Sequence, residues 1–364
     1  MKKLLLAAAV VLLLSTACRA QDVADREAQI LNTDSLRGGL SAEQTRALGE
    51  LTPTNVSSFG SQIWRVVTDA LGGSGSALRA AAASAGALLA AGILCSFVLG
   101  METTYSGRAV KMAGTLAITA VCAADLRSMM GLASSALDGI ANFSALLLPV
   151  LSSAAAASGA VGSSAALYVG SSLFVSVLSS AIRSLLVPLV YAFAALAAAE
   201  CAMGDSRLAG IRKLLGWAVQ TSLRLIMYGF TGYLALTGIL AGSADAVTVK
   251  AAKTALSGAI PVVGGIAADA SETVLAGAAL LKNSVGIFGM AAVLAIGLAP
   301  FFRIGACYLT LRLTAALSGV TACREHAALL DHLAAAMGYM LAMTGCCVLM
   351  ALVSCCCFVK VVTG

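Results

Sequence analysis

Few residues in this sequence combine the types and spacings that catalysis requires. Asp269 and Glu272 lie three residues apart, so on a helix they share one face. Two carboxylates can act as acid and base, but no nucleophile or metal ligand accompanies them, and we favour a role at the positive end of a helix dipole. The sequence contains no P-loop and no G-x-S-x-G, H-E-x-x-H or C-x-x-C motif, so we do not expect an enzyme.

The cysteines and histidines do not favour a metal site. Most of the eleven cysteines lie in apolar runs, where Cys packs as a small apolar residue. Adjacent helical positions point about 100° apart, so Cys355–Cys357 cannot easily converge on one ion, and packing is favoured over acylation or metal binding. Cys323, His326 and His332 are another possible set, but the first and last point to opposite sides of a helix. A charged loop is the favoured interpretation there, and we expect no metal and no cofactor.

Arg312 is the charge whose position is most informative about function. It lies near the centre of the apolar run 304–322. A guanidinium within a membrane span is costly, so the default expectation is a functional site with a partner or a water-filled cavity. Asp269 or Glu272 could supply that partner. In the alternative, the run lies askew or at the membrane surface, and Arg312 reaches the lipid headgroups.

The elements that position these residues must be membrane helices. Of the 364 residues, 60% are hydrophobic and only 11% are charged, whereas soluble domains carry about 25% charged residues. The mean hydropathy is +0.94. Aromatic residues make up 5% of the chain and no basic run is interleaved with them, so a nucleic-acid partner is not expected. We predict an all-α polytopic integral membrane protein whose main partner is the lipid bilayer.

The N-terminus has the features of an export signal. Residues 1–20 comprise a positive start, an apolar stretch and a small-residue exit, and both signal peptidase cleavage after Ala20 and lipoprotein processing at Cys18 fit. Residues 21–78 are then an extracytoplasmic segment, either a tail or small helical pair or a docking arm for a partner. The run Gly72–Ser76 is predicted to be a flexible joint before the first span.

Apolar runs of about 20 residues, the length of one crossing, fall into two groups. Residues 79–244 hold the first group of transmembrane helices and residues 283–364 the C-terminal group, and the total is about seven to nine. Residues 200–224, which contain Arg212, are predicted to be an amphipathic helix on an anionic inner leaflet or a solvated loop. The predicted spans are 80–101, a weaker run at 112–124, two within 139–182 joined by a turn near Ser158–Ser164, then 184–199, 225–244, 283–302, 304–322 and 333–359.

Residues 245–282, between the two groups, are predicted to form an amphipathic or re-entrant hairpin. Pro261 blocks a backbone donor and should end the helix that arrives from Ala251. Gly264 and Gly265 give the chain freedom to turn, and a second helix should start near Ile266. Asp269 and Glu272 then lie in its early turns. This hairpin should lie at the membrane surface or dip into it.

The same residues carry a resemblance to a known family. The pattern G-A-I-P-V-V-G-G, followed by D-A-S-E-T-V and L-L-K-N-S-V-G, resembles the stage III sporulation protein AE family of endospore formers. Residues 214–238 and 300–342 are similar in weaker form. The resemblance implies a multi-pass protein of the mother-cell membrane and an eight-protein assembly that includes an ATPase and ring-forming proteins. That assembly is thought to join a forespore protein as a channel, or feeding tube, that supports forespore development after engulfment.

Two classes of function follow. In the first, the chain is a membrane component of the mother-cell-to-forespore transenvelope channel. In the alternative, it is a self-contained secondary transporter for a small solute, since transporter helices are often broken around a binding site, but no matching second break and no internal repeat is present. The candidate gate or partner-contact residues are Pro261, Gly264, Gly265, Asp269, Glu272, Lys282 and Arg312.

Overall fold

The computed structural model describes residues 34–49, 59–101, 107–203, 207–259, 264–321 and 324–360, together with residue 29. Within these ranges the chain is helical and has no strand, which confirms the all-α prediction. The predicted signal sequence at residues 1–20 lies outside the described residues.

Two short helices precede six long helical segments in the described part of the chain. The short ones are α1 (Asp34–Gly38) and α2 (Ala42–Leu48). The long ones are α3 (Phe59–Met101), α4 (Gly107–Ala157), α5 (Val161–Ala181) with a π-helical turn (Ile182–Leu186) and α6 (Val187–Met203), then α7 (Arg207–Ala259), α8 (Gly264–Thr321) and α9 (Arg324–Lys360).

The short N-terminal helices are fixed by local capping and by packing. Ser41 and Gln44 form a capping box at the start of α2, in which each side chain accepts from the other's backbone N–H at 3.3 and 2.8 Å. Leu36 and Leu48 are fully buried, and Arg37 donates to the carbonyl of Gly49 at 2.8 Å. Residues 34–49 are therefore a small helical pair packed on the long helices.

Five of the described helices are long and apolar enough to cross a membrane, which agrees with the predicted polytopic fold. The predicted span 225–244 lies within α7, and its side chains from residue 236 onward are outside the described part, so the total of seven to nine stays a prediction. The five stretches are Ile63–Val98, Met112–Ala157, Val161–Met203, Asn283–Val320 and Arg324–Val359.

The predicted turn within the long apolar run 139–182 is confirmed. Helix α4 ends at Ala157 and α5 begins at Val161. Gly159 has a φ of 101°, and the N–H groups of Gly159 and Ala160 donate to the carbonyls of Ala156 and Ala155. This is the Schellman arrangement that ends a helix, and it explains why a glycine is needed at this position.

Four other predicted interruptions are wrong. The charged stretch 125–138 does not separate two spans, because α4 runs unbroken from Gly107 to Ala157. Gly72–Ser76 is not a joint, because it lies inside α3. Arg303 does not separate two spans, because α8 continues from Gly264 to Thr321 with Pro300 inside it. The run 184–199 is not a separate span, because the π-helical turn carries α5 directly into α6. A glycine costs a helix interior only about 1 kcal/mol relative to alanine, and a membrane helix tolerates an internal proline, so neither residue has to break the helix.

Helix α8 forms the centre of the bundle, and α4 and α9 run antiparallel to it. Phe288, Ala291 and Val293 are fully buried in α8. A side chain placed at Gly289 would meet Leu147 of α4. Along α9 the contacts run in reverse order, with Phe301 beside Gly345, Tyr308 beside Gly338 and Arg312 paired with Asp331.

The antiparallel order of α8 and α9 defines two ends of the bundle. We call them the Arg324 end, where α8 finishes and α9 begins, and the Lys360 end, where α9 finishes. At the Lys360 end, Val359 lies against Gly286. Helix α8 begins at Gly264, about 20 residues earlier, so it extends about 30 Å past the end of α9 at 1.5 Å per residue.

Candidate functional site

A cavity with charged residues in its wall lies between α2, α3, α4 and α8. Its volume is about 440 Å³. Glu43 and Arg46 of α2, Asp69 of α3, Ser135 of α4 and Arg303 of α8 all line it. Two carboxylates and two guanidinium groups therefore surround one opening, beside the middle of the apolar stretch Asn283–Val320 of α8.

Pro300 removes one backbone donor from the wall of this cavity. Proline has no N–H, so the carbonyl oxygen of Ile296 loses the helical hydrogen bond that residue 300 would otherwise donate. Ile296 and Pro300 both line the cavity, and Arg303 follows in the next turn of α8. Arg303 has no ion pair among the described residues, and its side chain lines the cavity. The cavity can therefore hold a small polar molecule.

A buried ion pair joins α6 to α7 near the Arg324 end. Arg212 Nε donates to Glu200 Oε2 at 2.7 Å, and the two side chains are only 10% and 17% exposed. The guanidinium carbon of Arg212 also lies 5.7 Å from the ring centroid of Phe193. That ring in turn packs edge-on against Tyr339 of α9, with the centroids 5.3 Å apart. The cluster therefore connects three helices.

Arg212 therefore does not lie among lipid headgroups, as a surface-helix interpretation of residues 200–224 would require. The physical reason is that antiparallel packing of α6 and α7 brings Glu200 opposite it. The outer face of α7 is mixed, with Ile211, Leu214 and Trp217 exposed beside the exposed Lys213.

Arg312 is paired, but not with either predicted partner. It forms an ion pair with Asp331 of α9, and its guanidinium carbon lies 5.8 Å from the ring centroid of Tyr308. Asp269 and Glu272 lie on the same continuous helix α8, about 40 residues away. At 1.5 Å per residue this is about 60 Å, so neither can reach Arg312 within one chain. Its role as a gate or contact residue stays a prediction.

The predicted hairpin residues occupy the region where α7 ends and α8 begins. Pro261 falls in residues 260–263, outside the described ranges, and Gly264 and Gly265 are the first residues of α8. The predicted helix break falls on residues 260–263, so it lies outside the described residues and stays a prediction. Helix α7 runs through position 244 and helix α8 runs through position 282 without interruption, so the two arms continue the neighbouring helices. Contact with the membrane surface stays a prediction.

The carboxylates near this break lie beyond the first turn of α8. The helix begins at Gly264 and has no acidic residue in its first turn. Asp269 and Glu272 lie further along, where the helix dipole has largely faded, so the favoured dipole role loses its support. Lys282 lies on the same helix, and the structure does not bring any of these three to Arg312. Their predicted part in a gate or partner contact is untested.

Sequence reasoning missed three features that the packing creates, namely two side-chain contacts and a cavity. Cys95 of α3 lies 3.9 Å from Nε2 of the buried His326 of α9. Arg183 in the π-helical turn pairs with Asp138 of α4. The cavity beside Arg303 is the third. An isolated charge at the edge of a long apolar run was the only available signal for Arg183.

In the described ranges no group of three or more His, Cys, Asp or Glu side chains is placed to hold a metal ion. Cys122, Cys201, Cys307 and Cys355 are buried and unbridged, in keeping with a packing role.

Comparison with known proteins now identifies the chain's family. The family described as stage III sporulation protein AE matches residues 55–361, most of the chain. The chain belongs to the stage III sporulation protein AE family. As a member of this family it has a role in sporulation, and its apolar helices make it a membrane protein.

One relative of this family member is Stage III sporulation protein AE of Bacillus subtilis (strain 168). The two are 26% identical over 185 residues, which is 51% of this chain and 46% of the relative. The match thus spans about half the length of that curated relative. No solved structure matches this family member.

Proposed function

We propose that this protein is a membrane component of the mother-cell-to-forespore transenvelope channel, a feeding-tube-like secretion and transport apparatus needed for forespore development after engulfment. The family match over residues 55–361 is the observation that carries the proposal. In this role it lies in the mother-cell membrane around the forespore. Its partners are the other membrane proteins of the assembly, including an ATPase and ring-forming proteins. It binds no nucleic acid and catalyses no reaction.

The lengths of α7 and α8 support a role in an assembly. They contain 53 and 58 residues, about 80 and 87 Å at 1.5 Å per residue, whereas one crossing of the hydrocarbon needs about 30 Å. Tilt cannot absorb the difference, because membrane helices tilt by about 40° at most. Both helices therefore extend well beyond one membrane surface. Such an extension can reach other proteins outside the bilayer, which a self-contained transporter does not require.

The residues at the junction of α7 and α8 are the best candidates for this contact. Gly264 opens α8 at the end of the projecting pair, and Pro261, Gly265, Asp269, Glu272 and Lys282 are the neighbouring candidates. A partner that binds the tip would contact these residues and leave the packed bundle unchanged.

Affinity purification from sporulating cells tests the proposal. The tagged protein should co-purify with an ATPase and ring-forming membrane proteins. A variant with Gly264→Val and Gly265→Val should lose these partners while its amount in the membrane stays normal. The matched control is Gly72→Val with Gly75→Val, since side chains at these positions of α3 meet open space. Recovery of the protein alone from intact membranes would contradict the channel role.

The cavity beside Pro300 favours one second candidate, a secondary transporter for a small solute. Transporters place their sites where a helix is interrupted near the middle of the membrane, and Pro300 and Arg303 lie near the middle of the stretch Asn283–Val320. Purified protein in liposomes would then move a solute without any partner. An Arg303→Gln variant should reduce this movement. The absence of partner-independent movement across a panel of small solutes would exclude this candidate.

A further inference from the structure

One helix carries exposed apolar side chains over a greater length than a bilayer can cover. The stretch Val161–Met203, formed by α5, the π-helical turn and α6, contains 43 residues, about 63 Å at 1.5 Å per residue. Both end residues are exposed, as are Leu173 and Tyr191 between them. A hydrocarbon core about 30 Å thick contains only about 39 Å of a helix tilted by 40°. A third or so of this outer face therefore lies outside the acyl chains.

An ion pair interrupts the same face at its middle. Arg183 in the π-helical turn pairs with Asp138 of α4, and the two side chains remain 54% and 47% exposed. A charged side chain at the centre of a membrane helix is unfavourable against acyl chains. A bilayer centred on this face would cover the pair with acyl chains. A bilayer moved toward either end would leave half of the apolar face in water.

A protein bound to this face would remove both the exposure of its apolar side chains to water and the exposure of its ion pair to lipid, because it can bury the apolar side chains and match the charges. We propose that this surface, the α5–α6 face, is where a second copy of this chain binds. We define the face by Val169, Leu173, Ser180, Arg183 and Tyr191, which are all exposed. The contact is thus an interface between two identical α5–α6 faces.

The charges on the face select a second copy over an apolar partner. Arg183 and Asp138 place one cation and one anion side by side on the outer surface. A surface of this kind is complementary to itself, since a two-fold axis sets each Arg183 against the Asp138 of the other copy. The two ion pairs then become one four-charge cluster shielded from lipid. An entirely apolar partner would bury the same charges without matching them.

The side chains around the ion pair allow a close approach. Ser176, Ser180 and Ser184 recur every four residues, so they lie along one line of the helix, and all three are exposed. Small residues let membrane helices pack closely. The Ser184 hydroxyl donates to the carbonyl of Ser180 at 2.7 Å. The Ser184 hydroxyl therefore has an acceptor within its own helix, so packing a partner helix against Ser184 leaves no unsatisfied donor.

Disulfide cross-linking of the full chain in native membranes tests the proposal. The variant Ser180→Cys, with Cys356→Ser to remove an exposed thiol, is oxidised with copper phenanthroline. The control is Leu349→Cys in the same background, because Leu349 is 54% exposed on a different helix, α9. We expect a covalent dimer of the chain with Ser180→Cys and little or none with the control. Equal dimer yields, no dimer, or a cross-link only to a different protein would overturn the proposal.

Charge reversal provides an independent measurement on the same background. Arg183→Asp should abolish the Ser180→Cys dimer, because it places like charges across the axis. Adding Asp138→Arg should restore the dimer, because the reversed pair is again complementary to itself. Protein amounts and trypsin resistance are measured for each variant to separate association from folding. Undiminished dimer in Arg183→Asp, or no recovery in the double variant when it is normally folded, would refute the charge-matched interface.

Discussion

Replacing Arg212 with Met tests whether the buried Glu200–Arg212 pair holds α6, α7 and α9 together. The substitution keeps an unbranched side chain of similar reach but removes the charge that compensates Glu200. Removing one partner of a buried ion pair costs about 3–5 kcal/mol, because the remaining charge stays buried without compensation. Loss of the contact between the Arg212 guanidinium and the Phe193 ring adds about 0.5–1 kcal/mol.

The Arg212 and Glu200 side chains keep 10% and 17% of their surface exposed, so the expected loss of stability falls in the lower part of the range of about 3–5 kcal/mol. We expect a loss of about 3 kcal/mol, which lowers Tm by roughly 5 °C in a chain of this size. Thermal unfolding of the purified protein in detergent micelles measures this shift. Arg312→Met is the matched control, because its pair with Asp331 is 44% and 47% exposed, and such pairs contribute about 0–1 kcal/mol.

A double variant makes the test specific to the buried charge. Glu200→Gln combined with Arg212→Met leaves no charge in the cluster, so it should be more stable than Arg212→Met alone. Two results would refute the reasoning: an Arg212→Met protein that melts with the Arg312→Met control, or a double variant that is as unstable as the single one.

Three further predictions follow from the packing and the membrane assignment. Gly289→Ala should destabilise the protein by about 1–3 kcal/mol, because the new Cβ lies 2.6 Å from Cδ2 of Leu147. The control Gly319→Ala places its Cβ in open space and should be neutral or slightly stabilising. Equal Tm values for the two variants would contradict this prediction. Gly264→Val with Gly265→Val should reduce spore formation at a normal protein level, and unchanged sporulation would argue against the predicted role of the helix break. Alkaline carbonate should leave the protein in the membrane pellet, and release into the supernatant would contradict the membrane assignment.

Most of the helical architecture could be predicted from the sequence, because it depends on local properties. Long charge-free runs indicate membrane helices, and the glycine within Ser158–Ser164 marks a real helix end. Gly72–Ser76 and Arg303 carry similar local signals but lie inside helices. A glycine inside a helix costs only about 1 kcal/mol, and a single charge does not interrupt the backbone hydrogen bonds, so neither signal has to end a helix.

The candidate sites were less predictable than the helices. The cavity beside Arg303 forms only where α2, α3, α4 and α8 pack together, and no short sequence pattern predicts that packing. The expected pairing of Arg312 with Asp269 or Glu272 assumed a hairpin that folds back, whereas α8 is continuous.

The sequence by itself determined that lipid is the main solvent of this chain and that its secondary structure is helical. Hydropathy and backbone conformational preference are properties of each stretch alone, so they can be read without the fold. Only the tertiary structure decided which charges meet. The partners of Arg183, Arg212 and Arg312 are Asp138, Glu200 and Asp331. Each partner lies on a different helix from its arginine, and the register between helices is set by packing over their whole length.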